Sequence, residues 1–196
     1  MADRIIRTPN ERIQDGFRVM QGKKEYVTYP EGSSFRCWYS VMPWRYENHS
    51  HSAVEIVLTE KGTVTYDVGG RRYDVKEGEV IIIPPEMDHA LSMGEDSARS
   101  LYLFEPDPIF TMGDIKRLSG SFRKVFYLND ESPVHREVRS LLQKASETYK
   151  EQNLMWNSLC YSVMLQMYAA LGQAYLSGAA LTGRNGERSM DSEIIT

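Results

Sequence analysis

Three of the four histidines in this chain, His49, His51 and His89, lie in one region of the sequence, and Glu55 follows closely after His51. Three imidazole nitrogens and a carboxylate oxygen suit a divalent ion such as zinc, nickel, manganese or ferrous iron. His49, His51 and Glu55 are separated by even numbers of residues, so on an extended strand all three project from one face. His89 follows the apolar run 80–83 and the Pro84-Pro85 stop, where the chain can bring a fourth donor to the same cavity. The same residues also suit a polar cavity in which they bond one another, water or an organic ligand. His135, the remaining histidine, is expected at the surface, in the first turn of a helix.

The segments around these donors read as short strands. In residues 34–41, Phe35, Cys37, Tyr39 and Val41 alternate with Arg36, Trp38 and Ser40, the pattern of a strand with two different faces. Residues 54–58 are apolar apart from Glu55. Val64, Tyr66 and Val68 alternate with Thr63, Thr65 and Asp67, and Gly69-Gly70 then permits a two-residue hairpin loop into 71–75. A turn at Lys76-Glu77-Gly78, the run 80–83 and a strand at 100–104 complete a closed barrel or sandwich over residues 34–110. Residues 1–33 form a polar arm with a short strand at 26–29, and 111–131 form a connecting segment.

Helix follows. Ser132 is placed as an N-cap with Pro133 at the first helical position, and Val134, Val138, Leu141, Leu142 and Ala145 recur at helical spacing. After a break near Gln152-Asn153, a second helix carries a long apolar stripe that Gly178 is placed to end. Within that stripe Leu159, Val163, Met167 and Leu171 form one face, expected to pair two copies of the chain, so that residues 132–178 are a dimerisation region. Residues 179–196 have the composition of a flexible linker. The expected fold class is mainly β with C-terminal α.

Arg36, Trp38, Trp44, Tyr46, Tyr66, Arg99 and Tyr102 lie in or beside the strands. Rings facing a cavity would stack on a sugar or planar ligand, and either arginine would pair with an acid. The formal net charge is −4, with basic residues scattered among acidic ones, whereas duplex binding needs a concentrated basic face. The chain alone is therefore not expected to bind DNA. With no apolar stretch long enough for a membrane span and no signal-peptide core, a cytoplasmic location is expected. Cys37 and Cys160 form no CxxC pair and read as buried thiols.

The donor spacing resembles the cupin superfamily, whose motifs are G-x5-H-x-H-x3,4-E-x6-G and G-x5-P-x-G-x2-H-x3-N. Here they read His49-x-His51-x3-Glu55-x6-Gly62 and Gly78-x5-Pro84-x4-His89, with Pro43, Glu86 and Met93 in place of the first Gly, the inner Gly and the Asn. The resemblance implies a small jelly-roll-like β-barrel and makes His49, His51, Glu55 and His89 the metal ligands. The order of arm, barrel, two amphipathic helices and polar linker further resembles the N-terminal half of an AraC-type transcription regulator. That implies a domain that binds a small effector, such as a sugar or small organic acid. It also implies a homodimer that controls helix-turn-helix DNA readers and has no catalysis of its own. The last residues, 190–196, resemble the start of that family's DNA-binding half, so an excised sensor domain is expected. The alternative is a metal-dependent cupin enzyme, an isomerase or dioxygenase acting on a small polar substrate.

Overall fold

Strand alternation decides which side chains face inward, and it holds along nearly every strand of the protein. The structure is a computed structural model that describes residues 4–7, 17–41, 44–179, 181 and 187–189, with side chains for 19–41, 45–179 and 181. One five-stranded sheet has the order β12-β9-β6-β11-β4, with β4 at Phe35–Ser40, β6 at Val54–Lys61, β9 at Val80–Ile83, β11 at Ala98–Phe104 and β12 at Phe126–Leu128. The second has the order β13-β8-β7-β10-β5, with β5 at Trp44–His49, β7 at Thr63–Val68, β8 at Arg71–Lys76, β10 at His89–Met93 and β13 at Glu187–Ser189. Every ladder in them is antiparallel, and among the described residues none joins one sheet to the other. The result is a jelly-roll-like sandwich of two layers, mainly β with C-terminal helices.

In the first sheet both faces are covered. Val57, Ile81, Ile83, Leu101 and Tyr127 point at the second sheet, where they pack with Val64, Tyr66, Val68, Tyr73, Val75, Leu91 and Met93. The alternate residues Phe35, Cys37, Val54, Ile56, Leu58, Val80, Ile82, Tyr102 and Phe104 point the other way, into a helical layer. That layer is built from α1 (Asp107–Phe110), α2 (Gly113–Arg117), α3 (Ser119–Phe122), α4 (His135–Glu151) and α5 (Trp156–Leu176). Phe104 meets Tyr168 and Tyr161 of α5 with ring centroids 6.4 and 6.0 Å apart, and Phe35 meets Tyr149 of α4 at 6.0 Å.

Several expectations change in this packing. Val163, Met167 and Leu171 are at most 1% exposed and belong to the core between α5 and the sheet, so they are not available to a second copy. The reason is the sheet's outer face, whose apolar residues Phe35, Val54, Ile56, Leu58, Tyr102 and Phe104 take this stripe to leave water. Of the expected dimer face only Leu159 is exposed, beside exposed Leu154 and Met155. The connecting segment 111–131 contributes two of the short helices and the edge strand β12. The arm holds β1 (Arg4–Arg7), β2 (Phe17–Gln21) and β3 (Lys24–Tyr26) in a three-stranded sheet, with the turn at Gly22. Residues 27–29, expected as part of a strand, pair with none. Part of the expected linker lies outside the described residues, but β13 pairs with β8.

Ser132 does not cap α4. The helix starts at His135 after Val134, and the Ser132 hydroxyl accepts instead from the Asn129 N–H at 3.4 Å. His135 is buried, against expectation, because the first turn of α4 docks on the β8–β9 turn. Its Nε2 lies 2.7 Å from the Gly78 carbonyl oxygen and its Nδ1 3.2 Å from Asp130 Oδ1. Cys37 and Cys160 are free thiols in the helical core, where burial pushes both up to about 12.

Two turns need glycine. Gly69-Gly70, with φ of +56° and +81°, makes the expected two-residue hairpin between Val68 and Arg71. Gly62 turns β6 into β7 at φ +69°, where a Cβ would stand 2.8 Å from Ser97 Oγ and 3.0 Å from the Asp96 carbonyl oxygen. Gly62→Ala is expected to cost about 1–3 kcal/mol, read as a fall in the urea midpoint. An unchanged midpoint would mean that the turn yields freely.

Candidate metal and ligand site

The four donors converge at the place where the chain crosses from one sheet to the other. His49 is the last residue of β5 in the second sheet, His51 lies in the crossing, and Glu55 is on β6 in the first sheet. Their even spacing therefore does not place them on one strand; the crossing brings them together. His89 opens β10 and pairs directly with His49. Between that pair and the Leu91–Tyr46 pair the register shifts, so β5 spends one extra residue, and Tyr46 and His49 both turn toward the interior.

The ligand atoms of His49, His51, Glu55 and His89 all lie within 4.8 Å of one another, and all four residues are buried. Each imidazole is oriented from behind. Nδ1 of His49, His51 and His89 lies 2.9, 3.0 and 2.8 Å from the carbonyl oxygens of Glu47, Ala53 and Met87. A carbonyl oxygen can only accept, so each Nδ1 carries the proton and, in the neutral ring, each Nε2 offers its lone pair forward. Glu55 Oε2 stands 3.2 Å from His51 Nε2 and 3.3 Å from His89 Nε2. Yet His89 Nε2 makes no well-directed hydrogen bond among the described residues. Three preset imidazoles, a carboxylate and a buried ring nitrogen turned to the same point fit a divalent cation.

Electrostatics in the metal-free site couple the same groups. Burial opposes ionisation of Glu55, but the charge of protonated His89 and the hydrogen bond from His51 hold its carboxyl well below the usual range. Burial likewise opposes charge on His89, and the Glu55 carboxylate outweighs it, raising His89 above its ordinary value.

Glu25 was not singled out by sequence. It reaches the site from β3, with Oε2 3.3 Å from His49 Nε2 and the side chain only 11% exposed. The hairpin is fastened there by the Glu25 N–H on the Ser50 carbonyl at 2.8 Å and the Ser50 N–H on the Lys23 carbonyl at 3.0 Å. An ion pair between Lys24 and Glu86 adds a third tie. Glu86 occupies the inner glycine position of the second cupin motif and keeps the left-handed backbone, at φ +63°, that glycine would supply. Its N–H donates to the His51 carbonyl at 2.8 Å, so this turn holds His51 as well as leading to His89. No local signal in the arm marks Glu25, because its place depends on how the arm docks.

Beside the donors lies a small cavity lined by Arg36, Trp38, Tyr46 and Arg99, with Leu101 and Leu103. Arg36 lies 4.6 Å over the Trp38 ring and donates to the Thr28 carbonyl at 3.2 Å. Arg99 donates to the Tyr66 hydroxyl, which in turn donates to Glu55 Oε1 at 3.5 Å. Burial, with the Glu55 charge, pushes the Tyr66 phenol upward, so it stays a donor. Tyr102 is a correction: Arg99, Leu101 and Leu103 take the inner positions of β11, so Tyr102 faces the helices. Trp44 belongs to β5, but its side chain lies outside the described residues.

The strands and turns that carry the four donors lie within the span of a family model. The model described as AraC-like ligand binding domain matches residues 39–164. The chain belongs to this family. The matched span, a cupin-type domain, runs from the end of β4 through β12 and α4 into the first half of α5. A search of curated proteins finds no match. Among solved structures, a conserved Streptococcus pyogenes protein of unknown function is 22% identical, covering 37% of this chain and 63% of its own, with a TM-score of 0.33. A cupin-2 domain protein from Shewanella frigidimarina is 16% identical over 38% of this chain and 72% of its own, with a TM-score of 0.31. Bacillus subtilis oxalate decarboxylase, described with Mn(II) centres, is 15% identical over 46% of this chain and 29% of its own, with a TM-score of 0.32. Among the described residues no helix is long and apolar enough to cross a membrane.

The coupled pair sets a pH dependence for the metal-free protein. His89, raised on folding, stabilises fully below its unfolded value near 6.5, and that contribution is lost as pH rises through its folded value. Glu55, lowered on folding, stabilises above its unfolded value near 4.5, and that contribution is lost as pH falls through its folded value. Urea midpoints of chelator-stripped protein are therefore expected to be favoured between those two values, and Glu55→Gln is expected to flatten both flanks. Added zinc should move the optimum upward, because it takes deprotonated imidazole. A Glu55→Gln profile with the same shape as the parent's would refute the coupling.

Proposed function

We propose that this AraC-like ligand binding domain senses a small effector in the cavity between its sheets, without chemistry of its own, and biases helix-turn-helix DNA readers attached to it. The observation that carries the reading is the convergence of separate segments of the fold on one cavity. Arg36 and Arg99 reach it from the first sheet, Tyr46 and His49 from the second, His51 from the crossing and Glu25 from the arm. A molecule bound there touches all of them, so occupancy favours one arrangement of arm and sheets over another. It shifts that equilibrium only by its difference in affinity for the two, about 1.4 kcal/mol for each tenfold. The effector is a sugar or a small organic acid.

In the same reading His49, His51, Glu55 and His89 hold a divalent ion, zinc, nickel, manganese or ferrous iron, which would supply a fixed positive charge at the cavity wall. Because the donor set, with its imidazoles held from behind, would equally suit a metal-dependent cupin enzyme, turnover has to be tested beside binding. Protein purified without added metal is expected to contain a divalent ion by elemental analysis, lost roughly tenfold or more in His51→Ala. It should also show saturable thermal stabilisation by members of a broad metabolite pool with no product formed. Turnover would favour the enzyme, and absence of any saturable ligand would sink the sensor.

Pairing of two copies belongs to the proposal too. It cannot use Val163, Met167 or Leu171, so it rests on Leu159 with its exposed neighbours Leu154 and Met155. Leu159→Glu should raise the dimer dissociation constant in sedimentation equilibrium while leaving the urea midpoint within about 0.5 kcal/mol of the parent. A dimer unaffected by that change would place the contact elsewhere.

A further inference from the structure

We infer that the effector is a small carboxylic acid whose carboxylate is taken by Arg99; this rests on the sensing reading and narrows it. Arg99 is 3% exposed and lines the cavity. Its guanidinium donates to the Tyr66 hydroxyl and lies 5.7 Å from the centre of the Tyr46 ring, neither of which is an anion. Its Nε has no hydrogen-bond partner, and among the described residues no carboxylate comes within ion-pair distance of it.

The cavity's own carboxylates are turned elsewhere. Glu55 Oε2 faces His51 and His89, and Glu25 Oε2 faces His49. Toward Arg99, Glu55 presents only its other oxygen, with the Tyr66 hydroxyl between them. A guanidinium cannot relieve its burial by losing a proton, and the Glu55 charge reaches it only across the Tyr66 hydroxyl, so what the site lacks is an anion in direct contact with Arg99. A carboxylate matches its planar fork with two parallel hydrogen bonds, whereas a sugar hydroxyl supplies no charge.

The rest of the cavity limits the acid's size and character. Trp38 and Leu101 face each other across the β4–β11 ladder, and Arg36 stands opposite Leu103, at the far end of that ladder from Arg99. The carbon body of the acid would lie along this apolar wall. The space between these side chains is narrow, so the occupant is small.

The test uses protein stripped of metal with chelator, so that an acid cannot bind through an ion alone. A panel of short mono- and dicarboxylic acids, their primary amides (propionate against propionamide, lactate against lactamide, succinate against succinamide) and the neutral sugars glucose and ribose is titrated by calorimetry. At least one acid is expected to bind saturably and tenfold or more tighter than its amide, and Arg99→Gln is expected to lose that preference. Amides binding as well as acids, or acid binding untouched by Arg99→Gln, would overturn the inference. Should Arg99→Gln fail to fold, the acid and amide comparison in the unaltered protein decides. Saturable binding of a sugar but of no acid overturns the acid and leaves the sensor standing; no binding by any class overturns both.

Discussion

A carboxylate buried between two β-sheets must find its hydrogen bonds inside the protein, and the arrangement around Glu55 is organised by that requirement. One oxygen faces the imidazoles of His51 and His89, and the other takes the Tyr66 hydroxyl. To meet it, β5 and β10 must bring His49 and His89 side by side, the crossing must present His51, and the turn at Glu86 must hold the His51 backbone. Each of those segments belongs to a different part of the sandwich. The site is therefore also the seam that joins the sheets, where their core residues give way to polar groups.

The seam explains why charge and packing can coexist so closely. Along β11 the inner positions run Arg99, Leu101, Leu103 and the outer ones Ser100, Tyr102, Phe104, so a single strand serves a polar cavity and an aromatic helical core at once. β4 does the same, with Arg36 and Trp38 inward and Phe35 and Cys37 outward. Because α5 covers the outer face, the sheet that carries both arginines and Glu55 is braced from behind. Its inward side chains can then be held in fixed positions for a ligand.

The arm closes one side of the site. Its hold on the site includes two backbone hydrogen bonds around Ser50, the Lys24–Glu86 pair, the approach of Glu25 to His49 and the hydrogen bond from Arg36 to the Thr28 carbonyl. These ties are polar, unlike the apolar packing of α5.

Local periodicity made much of this protein legible before folding was considered. Alternation along residues 34–41 and 63–68, the glycine pair at 69–70 and the paired cupin motifs depend only on neighbouring residues, and they led to the two-layer β fold, the later helices and the four donors. Where an inference needed a partner from elsewhere in the chain, sequence misled. The helical stripe of Val163, Met167 and Leu171 looks the same whether it meets a second copy or the chain's own sheet, and His135 looks exposed until α4 docks on Gly78. Even spacing suggested one strand for His49, His51 and Glu55, whereas a crossing between sheets unites them. Glu25 carries no local mark at all. Side-chain alternation is a property of the backbone, but which surface a face meets is decided only when distant segments compete to remove apolar area from water and to satisfy buried charge.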